Sequence, residues 1–67
     1  MRTLKEARND KGVKQYAIAN AIGVSRQTYS KYEKDPSQMT VGQAISVCNF
    51  LGVKMDDVFF GPEGKFN

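Results

Sequence analysis

Glycine and proline cut this chain of 67 residues into five short pieces, and that spacing limits the folds it can adopt. The interruptions fall at Gly12, Gly23, Asp35-Pro36, Gly52 and Gly61-Pro62. Because these two residue types most often end regular structure, each piece has room for one short element. No piece alternates apolar and polar residues for long enough to indicate a strand. A chain of this length builds one hydrophobic core, so the sequence predicts a single compact all-α domain.

Capping signals and helical spacing predict five helices. Thr3 and Glu6 have the spacing of a capping box, in which each side chain bonds the other residue's backbone N–H. Thr40 and Gln43 repeat that spacing. The predicted helices cover residues 3–12, 14–22, 25–34, 40–51 and 55–60. The predicted organisation is one five-helix domain, residues 1–60, followed by one irregular tail, residues 61–67.

Apolar residues at helical spacing indicate which side of each helix faces the core. They are Ala17, Ile18, Ala21 and Ile22 in the second helix, and Val41, Ala44, Ile45, Cys48 and Leu51 in the fourth. Cys48 is the only cysteine, and its apolar neighbours favour a buried thiol over a reactive one. Tyr29 and Tyr32 are interpreted as core residues of the third helix, with stacking on bases as the alternative. Tyr16 is expected to be exposed.

The missing residue types exclude most catalytic and metal-binding chemistry. The chain has no histidine, so it lacks Ser-His and Cys-His pairs and the commonest metal ligand. One cysteine permits neither an intramolecular disulfide nor a CxxC motif. Asp56 and Asp57 are adjacent, so on a helix they point about 100° apart and do not form a working carboxylate pair. The sequence predicts a protein that is not an enzyme and that uses no metal or cofactor.

The charge is concentrated in the first half of the chain. Residues 1–34 carry eight basic side chains against three acidic ones, a net charge of +5, whereas residues 35–67 carry two against four, a net charge of −2. A basic side opposite an acidic one is typical of a surface that faces a polyanion. The longest nearly apolar stretch, residues 16–24, is too short to cross a bilayer. No secretory leader opens the chain, so we expect a cytoplasmic protein without a membrane partner.

Residues 14–33 carry the motif that points to a function. Two short helices are joined by Gly23, Val24 and Ser25, and glycine tolerates the positive φ that a tight turn requires. Ala19 is small where the two helices approach each other, and Val24 fills the space between them. This is the spacing of a helix-turn-helix formed by helices 2 and 3.

The matched positions make the chain similar to a known family. They are Lys14-Gln15, Ala19, Ile22-Gly23-Val24-Ser25, Tyr29-Ser30-Lys31-Tyr32-Glu33, Leu51-Gly52-Val53 and Met55-Asp56-Asp57-Val58-Phe59. Over about residues 3–60 the chain resembles the Cro/CI-type, lambda-repressor-like DNA-binding domains of phage and bacterial regulators. The resemblance implies that the third helix enters the major groove of double-stranded operator DNA while the second lies across the backbone.

The resemblance also implies which residues contact DNA. The base-reading positions fall on Arg26, Gln27 and Lys31, with Ser30 as a lesser candidate. Arginine can bond guanine in bidentate fashion, and glutamine can bond adenine in the same way. The positions implied to contact phosphates are Lys14, Gln15, Thr28 and Lys34. Lys14 replaces the usual Ser or Thr cap, a change that costs about 1 kcal/mol.

Two groups of basic residues keep alternative interpretations. Arg8 is placed to contact a phosphate, but in this family its position commonly pairs with the acid at Glu33, and we favour that structural ion pair. Arg2 and Lys5 share a helix face that is either solvated or turned toward DNA.

The chain departs from the family pattern after the recognition helix. The loop at residues 34–39 has one lysine and one acid where several basic residues are usual, which lowers both the affinity for DNA and its salt dependence. No separate dimerisation domain is evident, so a dimer contact would come from the helical domain. Met55, Phe59, Phe60 and Phe66 form either an exposed patch suited to a partner or, for Met55 and Phe59, part of the core.

Two functions follow from these observations. The first is a sequence-specific transcription regulator, a small Cro-like repressor that acts as a homodimer on operator DNA. The alternative is a modulator or antirepressor that keeps the same scaffold and binds another phage or bacterial repressor protein. The base-reading residues and the basic first half favour the first function, and the poorly charged loop and the Phe-rich end favour the second.

Overall fold

The computed structural model describes residues 2–60, and side chains cap the start of three of its α-helices. Thr3 Oγ1 accepts a hydrogen bond from the Glu6 backbone N–H at 3.1 Å, and Glu6 Oε1 accepts from the Thr3 N–H at 2.9 Å. Thr40 and Gln43 form the same pair of bonds at 3.1 and 2.9 Å. Both predicted capping boxes are therefore confirmed. Lys14 begins its helix without a side-chain cap.

The described residues form four α-helices rather than the five that the sequence predicts. The helices are α1 Leu4–Asp10, α2 Gln15–Ile22, α3 Arg26–Lys34 and α4 Val41–Leu51. Single 3-10 turns lie at Pro36–Gln38 and Met55–Asp57. Two strands of two residues each, β1 Arg2–Thr3 and β2 Val58–Phe59, pair in parallel, with Arg2 opposite Val58 and Thr3 opposite Phe59. Apart from this pair, the regular elements within residues 2–60 are helical, as expected.

The predicted fifth helix is wrong for a physical reason. Residues 55–60 are too few for a stable helix, because nucleation fixes several residues before any bond is gained. Valine and phenylalanine at positions 58 and 59 favour extended backbone. Arg2–Thr3, far away in sequence, pairs with that extended backbone. The pairing supplies the backbone hydrogen bonds that a helical turn would otherwise provide. A strand of two residues shows no alternation, which is why the sequence pattern missed it.

The core lies between α1, α2 and α4, with Tyr29 of α3 at its centre. Its members are Leu4, Ala7, Ile18, Ala19, Tyr29, Met39, Ala44, Val47, Cys48, Leu51, Val58 and Phe60. The expectations for Tyr29 and Cys48 are confirmed, since both side chains are buried. Tyr32 packs against this core from a half-buried position, and Tyr16 is exposed, as expected.

The predicted apolar stripes are wrong at three positions. Ala21 of α2 is exposed. Val41 and Ile45 are 50% and 44% exposed, because the buried stripe of α4 passes through Val47 instead. At the Phe-rich end, the core interpretation holds for Met55, which packs half-buried against the core, and Phe60 is buried, so the exposed patch offered as the other interpretation does not include these two residues. Phe66, the side chain of Phe59 and the tail at residues 61–67 lie outside what the structure describes.

The turn between α2 and α3 has the expected form. Gly23 ends α2 with a φ of 76°, a left-handed conformation that glycine adopts without strain. The Val24 backbone N–H donates to the Ala19 carbonyl at 3.0 Å, and the Val24 side chain packs against the core. Ser25 then caps α3 by accepting a hydrogen bond from the Thr28 N–H at 3.1 Å. Together these contacts fix the angle at which α3 leaves the turn. None of the helices within residues 2–60 is long and apolar enough to span a membrane.

Candidate nucleic-acid interface

The polar side of α3 brings together most of the residues predicted to read bases. At 100° per residue, positions 26, 27, 30, 31 and 34 fall within an arc of about 140°. Arg26, Gln27, Lys31 and Lys34 are exposed there, and Ser30 is half-buried. Tyr29 is completely buried on the other side of the helix and anchors it in the core. The α3 arc, as we call these five positions, is therefore a polar and cationic surface with a rigid base.

Thr28 lies apart from the α3 arc. Its side chain is half-buried, and its hydroxyl oxygen accepts a hydrogen bond from Ser25 Oγ at 3.0 Å. The Thr28 hydroxyl proton remains available as a donor. Thr28 thus belongs first to the cap of α3, at the rim of the surface.

The start of α2 lies next to the start of α3. The Gln15 amide links the two helices, since its Oε1 accepts a hydrogen bond from Arg26 Nη1 at 3.2 Å. Its Nε2 donates to Glu33 Oε1 at 3.0 Å. Lys14, directly before Gln15, is exposed. Two of the predicted contact residues, Gln15 and Arg26, thus meet where the starts of α2 and α3 lie side by side.

A buried ion pair underlies this meeting point. Arg8 of α1 donates to both carboxylate oxygens of Glu33, through Nε at 2.5 Å and through Nη2 at 3.3 Å. Arg8 Nη1 donates to the Val13 carbonyl at 2.8 Å. The two side chains are only 9% and 6% exposed. This arrangement leaves Arg8 no access to a phosphate, and it joins α1, the loop before α2 and α3.

The ionisation of the pair follows from these contacts. Burial disfavours the Glu33 carboxylate, but the donors of Arg8, Tyr29 and Gln15 around it outweigh burial, so the pKa of Glu33 is lowered. The hydrogen bond to Glu33 raises the pKa of Arg8. The Tyr29 hydroxyl is buried beside the pair, close enough to Glu33 to affect the pKa of that carboxyl, but it makes no hydrogen bond of ordinary geometry with the described residues. Desolvation raises the pKa of Tyr29 far above its usual value, so the phenol stays neutral.

The other charged residues considered for DNA contact differ in whether they are paired, and one acid follows α3 directly. Arg2 is engaged by Asp10 in a partly exposed ion pair at 2.9 Å, whereas Lys5 is exposed. Asp35, at the end of α3, accepts hydrogen bonds from Ser37 Oγ at 2.6 Å and from Gln38 Nε2 at 3.3 Å. The bond from Ser37 lowers the pKa of Asp35, so the carboxylate remains ionised in this loop. An ionised acid here does not favour a phosphate, and no group within residues 2–60 could hold a metal ion.

The sequence pattern missed the role of Gln15 as a bridge between Arg26 and Glu33. These residues are 11 and 18 positions from Gln15, so no helical spacing relates them. The one available signal was that Gln15 opens α2, the helix that a three-residue turn joins to α3.

Known proteins similar to this chain are transcriptional regulators by name. A helix-turn-helix family model matches residues 4–58, which include all four helices. The chain is 33% identical over 64 residues to the SPbeta prophage-derived uncharacterized HTH-type transcriptional regulator YonR of Bacillus subtilis, covering 96% of this chain and 59% of that protein. It is 33% identical over 60 residues to the uncharacterized HTH-type transcriptional regulator YgzD of the same organism, covering 90% and 91%.

A third relative is archaeal. The uncharacterized HTH-type transcriptional regulator MJ0272 of Methanocaldococcus jannaschii is 38% identical over 42 residues, covering 63% of this chain and 64% of that protein. No solved structure shows a significant match. The family match spans the turn, the caps and the core described above, so this chain belongs to the Cro/CI-type helix-turn-helix family of transcriptional regulators.

Proposed function

We propose that this protein is a sequence-specific transcription regulator, a Cro-like repressor that reads operator DNA in the major groove with α3. The observation that carries the proposal is the α3 arc, where Arg26, Gln27 and Lys31 are exposed on a helix anchored from behind by Tyr29. A helix fits the major groove, and the first residues of a recognition helix lie closest to the base edges.

The side chains of the α3 arc suit distinct bases. Arg26 has the donors for bidentate bonding to guanine O6 and N7, and Gln27 has the donor and acceptor for adenine N7 and N6. Each good bidentate pair discriminates by about 1–3 kcal/mol. Lys31 lies one turn further along, where it reaches a guanine or a phosphate, and Ser30 contributes a hydroxyl between them.

Phosphate contacts come from both ends of this surface. Lys14 and the second N–H of the Gln15 amide lie at the start of α2, where the helix dipole favours an anion. Lys34 ends α3, and the Thr28 hydroxyl is a further donor at the rim. Each neutralised phosphate adds about −0.9 to the slope of log K against log salt concentration. Because few cations contact phosphates here, we expect the affinity for DNA to fall only gradually as salt is added.

One copy makes few phosphate contacts and would bind DNA weakly on its own. This supports binding as a homodimer on two half-sites one helical turn apart. The outer face of α4 supplies a surface for such a contact. It consists of the exposed residues Val41, Gly42, Ile45, Ser46, Asn49 and Phe50, none of which is ionisable. Charged residues are depleted at the centres of protein interfaces. DNA as the partner also implies a cytoplasmic location in a bacterial or phage-infected cell.

The same face favours the alternative function. An antirepressor or modulator would bind another repressor protein through an exposed apolar surface rather than DNA through the α3 arc. Val41, Ile45 and Phe50 are each between 44% and 50% exposed, within a run of 18 residues (36–53) that has no ionisable side chain except the buried Cys48 thiol. Both functions use this face, but only the first needs the α3 arc to contact DNA, so substitutions in the α3 arc separate them.

Selection from a random duplex library at about 0.1 M salt tests the proposal. We expect a palindromic consensus, and we expect Arg26→Ala to lose preference at one base pair of each half-site, with a loss of about 1–3 kcal/mol on the selected sequence. Lys54→Ala is the matched control, since Lys54 is an exposed cation outside the α3 arc. Sequence-blind retention of DNA would contradict the proposal and would favour the repressor-binding alternative.

A further inference from the structure

We infer that Asp35 lowers the affinity of this domain for DNA of any sequence, because its carboxylate occupies two donors of the loop after α3 and repels a phosphate beside them. The carboxylate then acts as an internal competitor of the DNA backbone. We take the end of α3 to lie next to a phosphate, so the inference rests on the proposed function and deepens it.

The loop after α3 is built around the Asp35 carboxylate. Oδ1 accepts a hydrogen bond from Ser37 Oγ at 2.6 Å, and Oδ2 accepts one from Gln38 Nε2 at 3.3 Å. The Asp35 carbonyl accepts from the Gln38 backbone N–H at 3.1 Å, which closes the turn. Serine and glutamine side chains are neutral donors that proteins use to contact phosphates. In the free protein these two donors are held by an anion of the chain itself.

No cation within residues 2–60 neutralises this carboxylate. Asp35 is exposed, and Lys31 and Lys34 in the last turn of α3 form no ion pair in that part of the chain. No basic residue follows Asp35 until Lys54. The hydrogen bonds from Ser37 and Gln38 lower the pKa of Asp35, so the carboxylate is ionised at neutral pH. A full negative charge therefore lies directly after the two cations that end the α3 arc.

The end of α3 does not depend on this charge. The Asp35 backbone N–H donates to the Lys31 carbonyl at 2.9 Å, and that bond is independent of the side chain. An anion near the C-terminus of a helix interacts unfavourably with the helix dipole. We therefore expect an uncharged residue at position 35 to leave α3 folded, so that the effect of the charge on DNA binding can be measured separately.

A phosphate that approaches Lys34 meets both effects of Asp35. It has to compete for Ser37 and Gln38, and it is repelled by the ionised carboxylate. Two like charges about 4 Å apart in water repel each other enough to change a binding constant about fivefold. Arg26 and Gln27 lie at the other end of α3, so every DNA sequence should lose affinity by the same factor. A single half-site is then poorly occupied by one copy, and occupancy depends on the second copy.

Replacing Asp35 by an uncharged residue tests the inference. The measurement is the Kd of each variant for two duplexes, the selected operator and a duplex with scrambled half-sites, at salt concentrations from about 0.05 to 0.3 M. Asp35→Asn removes the charge and keeps an acceptor for Ser37. Asp56→Asn is the matched control, because Asp56 is an exposed acid in the turn Met55–Asp57 and the change in net charge is the same.

We expect Asp35→Asn to lower both Kd values by a common factor of about three- to tenfold at about 0.1 M salt. The gain should shrink as salt is added, because the repulsion is screened. The ratio of the two Kd values, which reports base reading, should stay unchanged. Asp56→Asn should alter either Kd by less than about 1.5-fold. Circular dichroism and urea midpoints show that each variant is folded.

A second comparison separates the captured donors from the charge. Asp35→Ala removes the charge and releases both Ser37 and Gln38. When both of these residues are replaced by alanine, the loop has no such donors to release. Asp35→Ala should therefore improve the affinity less in that background than in the wild-type chain. Equal gains in the two backgrounds would contradict the captured-donor part of the inference.

Other outcomes overturn the inference as a whole. An unchanged or higher Kd in folded Asp35→Asn would show that the carboxylate opposes no phosphate, and an equal gain in Asp56→Asn would show that only net charge matters. A change in the ratio of Kd values would mean that Asp35 acts on base reading. If the wild-type protein binds both duplexes equally, the proposed base reading fails, but the gain in Asp35→Asn still decides the inference. If it binds neither duplex, both fail.

Discussion

At the scale of single residues, the Arg8–Glu33 pair is the most consequential contact in the described domain. It is one of two ion pairs within residues 2–60, and unlike the exposed Arg2–Asp10 pair it is almost inaccessible to water. Exposed pairs contribute about 0–1 kcal/mol, but removing one partner of a buried pair leaves an uncompensated charge. A small domain has only about 0.05–0.15 kcal/mol of stability per residue, so this one pair matters to the whole fold.

We predict that Glu33→Gln lowers the free energy of unfolding at pH 7 by about 3 kcal/mol, because the Arg8 charge stays buried without its partner. Urea unfolding measures this change, and Asp10→Asn, which breaks the exposed pair, is the control. A loss below about 1 kcal/mol from Glu33→Gln would mean that the buried pair behaves like an exposed one.

The same pair predicts a pH dependence. The pKa of Glu33 is lowered below its ordinary value of 4.5, so the folded state holds this carboxylate ionised more strongly than the unfolded state does. The resulting stability is present at pH values above 4.5 and is lost as the pH falls through the lower pKa of the folded state. Unfolding curves measured at a series of pH values should show this loss in the wild-type protein. Glu33→Gln should lack that part of the acid transition.

Removing the Tyr29 hydroxyl should not lower the free energy of unfolding, in contrast to the Glu33 substitution. That hydroxyl is buried and makes no hydrogen bond of ordinary geometry with the described residues, although it lies close enough to Glu33 to lower the pKa of that carboxyl. A buried hydroxyl without a good hydrogen bond costs about 1–3 kcal/mol. Tyr29→Phe keeps the ring that anchors α3, so we expect the free energy of unfolding to stay the same or to rise. Thermal unfolding provides the measurement, with Tyr29→Ala as the contrast because it leaves a cavity worth about 3–5 kcal/mol. A clear loss of stability in Tyr29→Phe would show that the hydroxyl is bonded in solution.

At the scale of elements, local signals determined what the sequence could predict. Both capping boxes, the end of α2 at Gly23 and the start of α3 at Ser25 depend on residues within four positions of each other. Those boundaries were predictable, and the helix-turn-helix with them. The pairing of β1 with β2 and the bridge made by Gln15 join residues that are distant in sequence, and no periodicity encodes such contacts. The error about Val41 and Ile45 arose because spacings of three and four residues fit more than one side of α4.

The capping box of α4 can be tested at this scale. We predict that Thr40→Ala costs about 1 kcal/mol of stability, because the Gln43 N–H loses its acceptor at the start of a helix that carries four core residues. Thr40→Ser, which keeps the hydroxyl, should restore most of the loss. Urea midpoints of the three proteins give the comparison, and equal midpoints for all three would mean that water replaces the cap at no cost.

At the scale of the whole molecule, the outer face of α4 is the surface through which two copies would meet on operator DNA. We predict that Ile45→Glu abolishes cooperative binding to two half-sites one helical turn apart while leaving the affinity for a single half-site within about twofold of Asn9→Glu. Asn9 is exposed on α1, so Asn9→Glu is a control with the same change of charge. Titrations on one-site and two-site duplexes provide both affinities. Unchanged cooperativity in Ile45→Glu would exclude this face from a dimer contact.

Because β1 and β2 pair with each other, the two ends of the segment from residue 2 to residue 60 lie close together in space. Arg2 lies opposite Val58, and neighbouring strands are about 4.8 Å apart, so the chain enters and leaves this unit through nearly the same point. Such a unit can be inserted into a surface loop of an unrelated host protein without forcing the loop apart. A circular permutant that joins these ends by a short linker and opens the loop after α3 should keep the same core, because the new break interrupts none of the four helices.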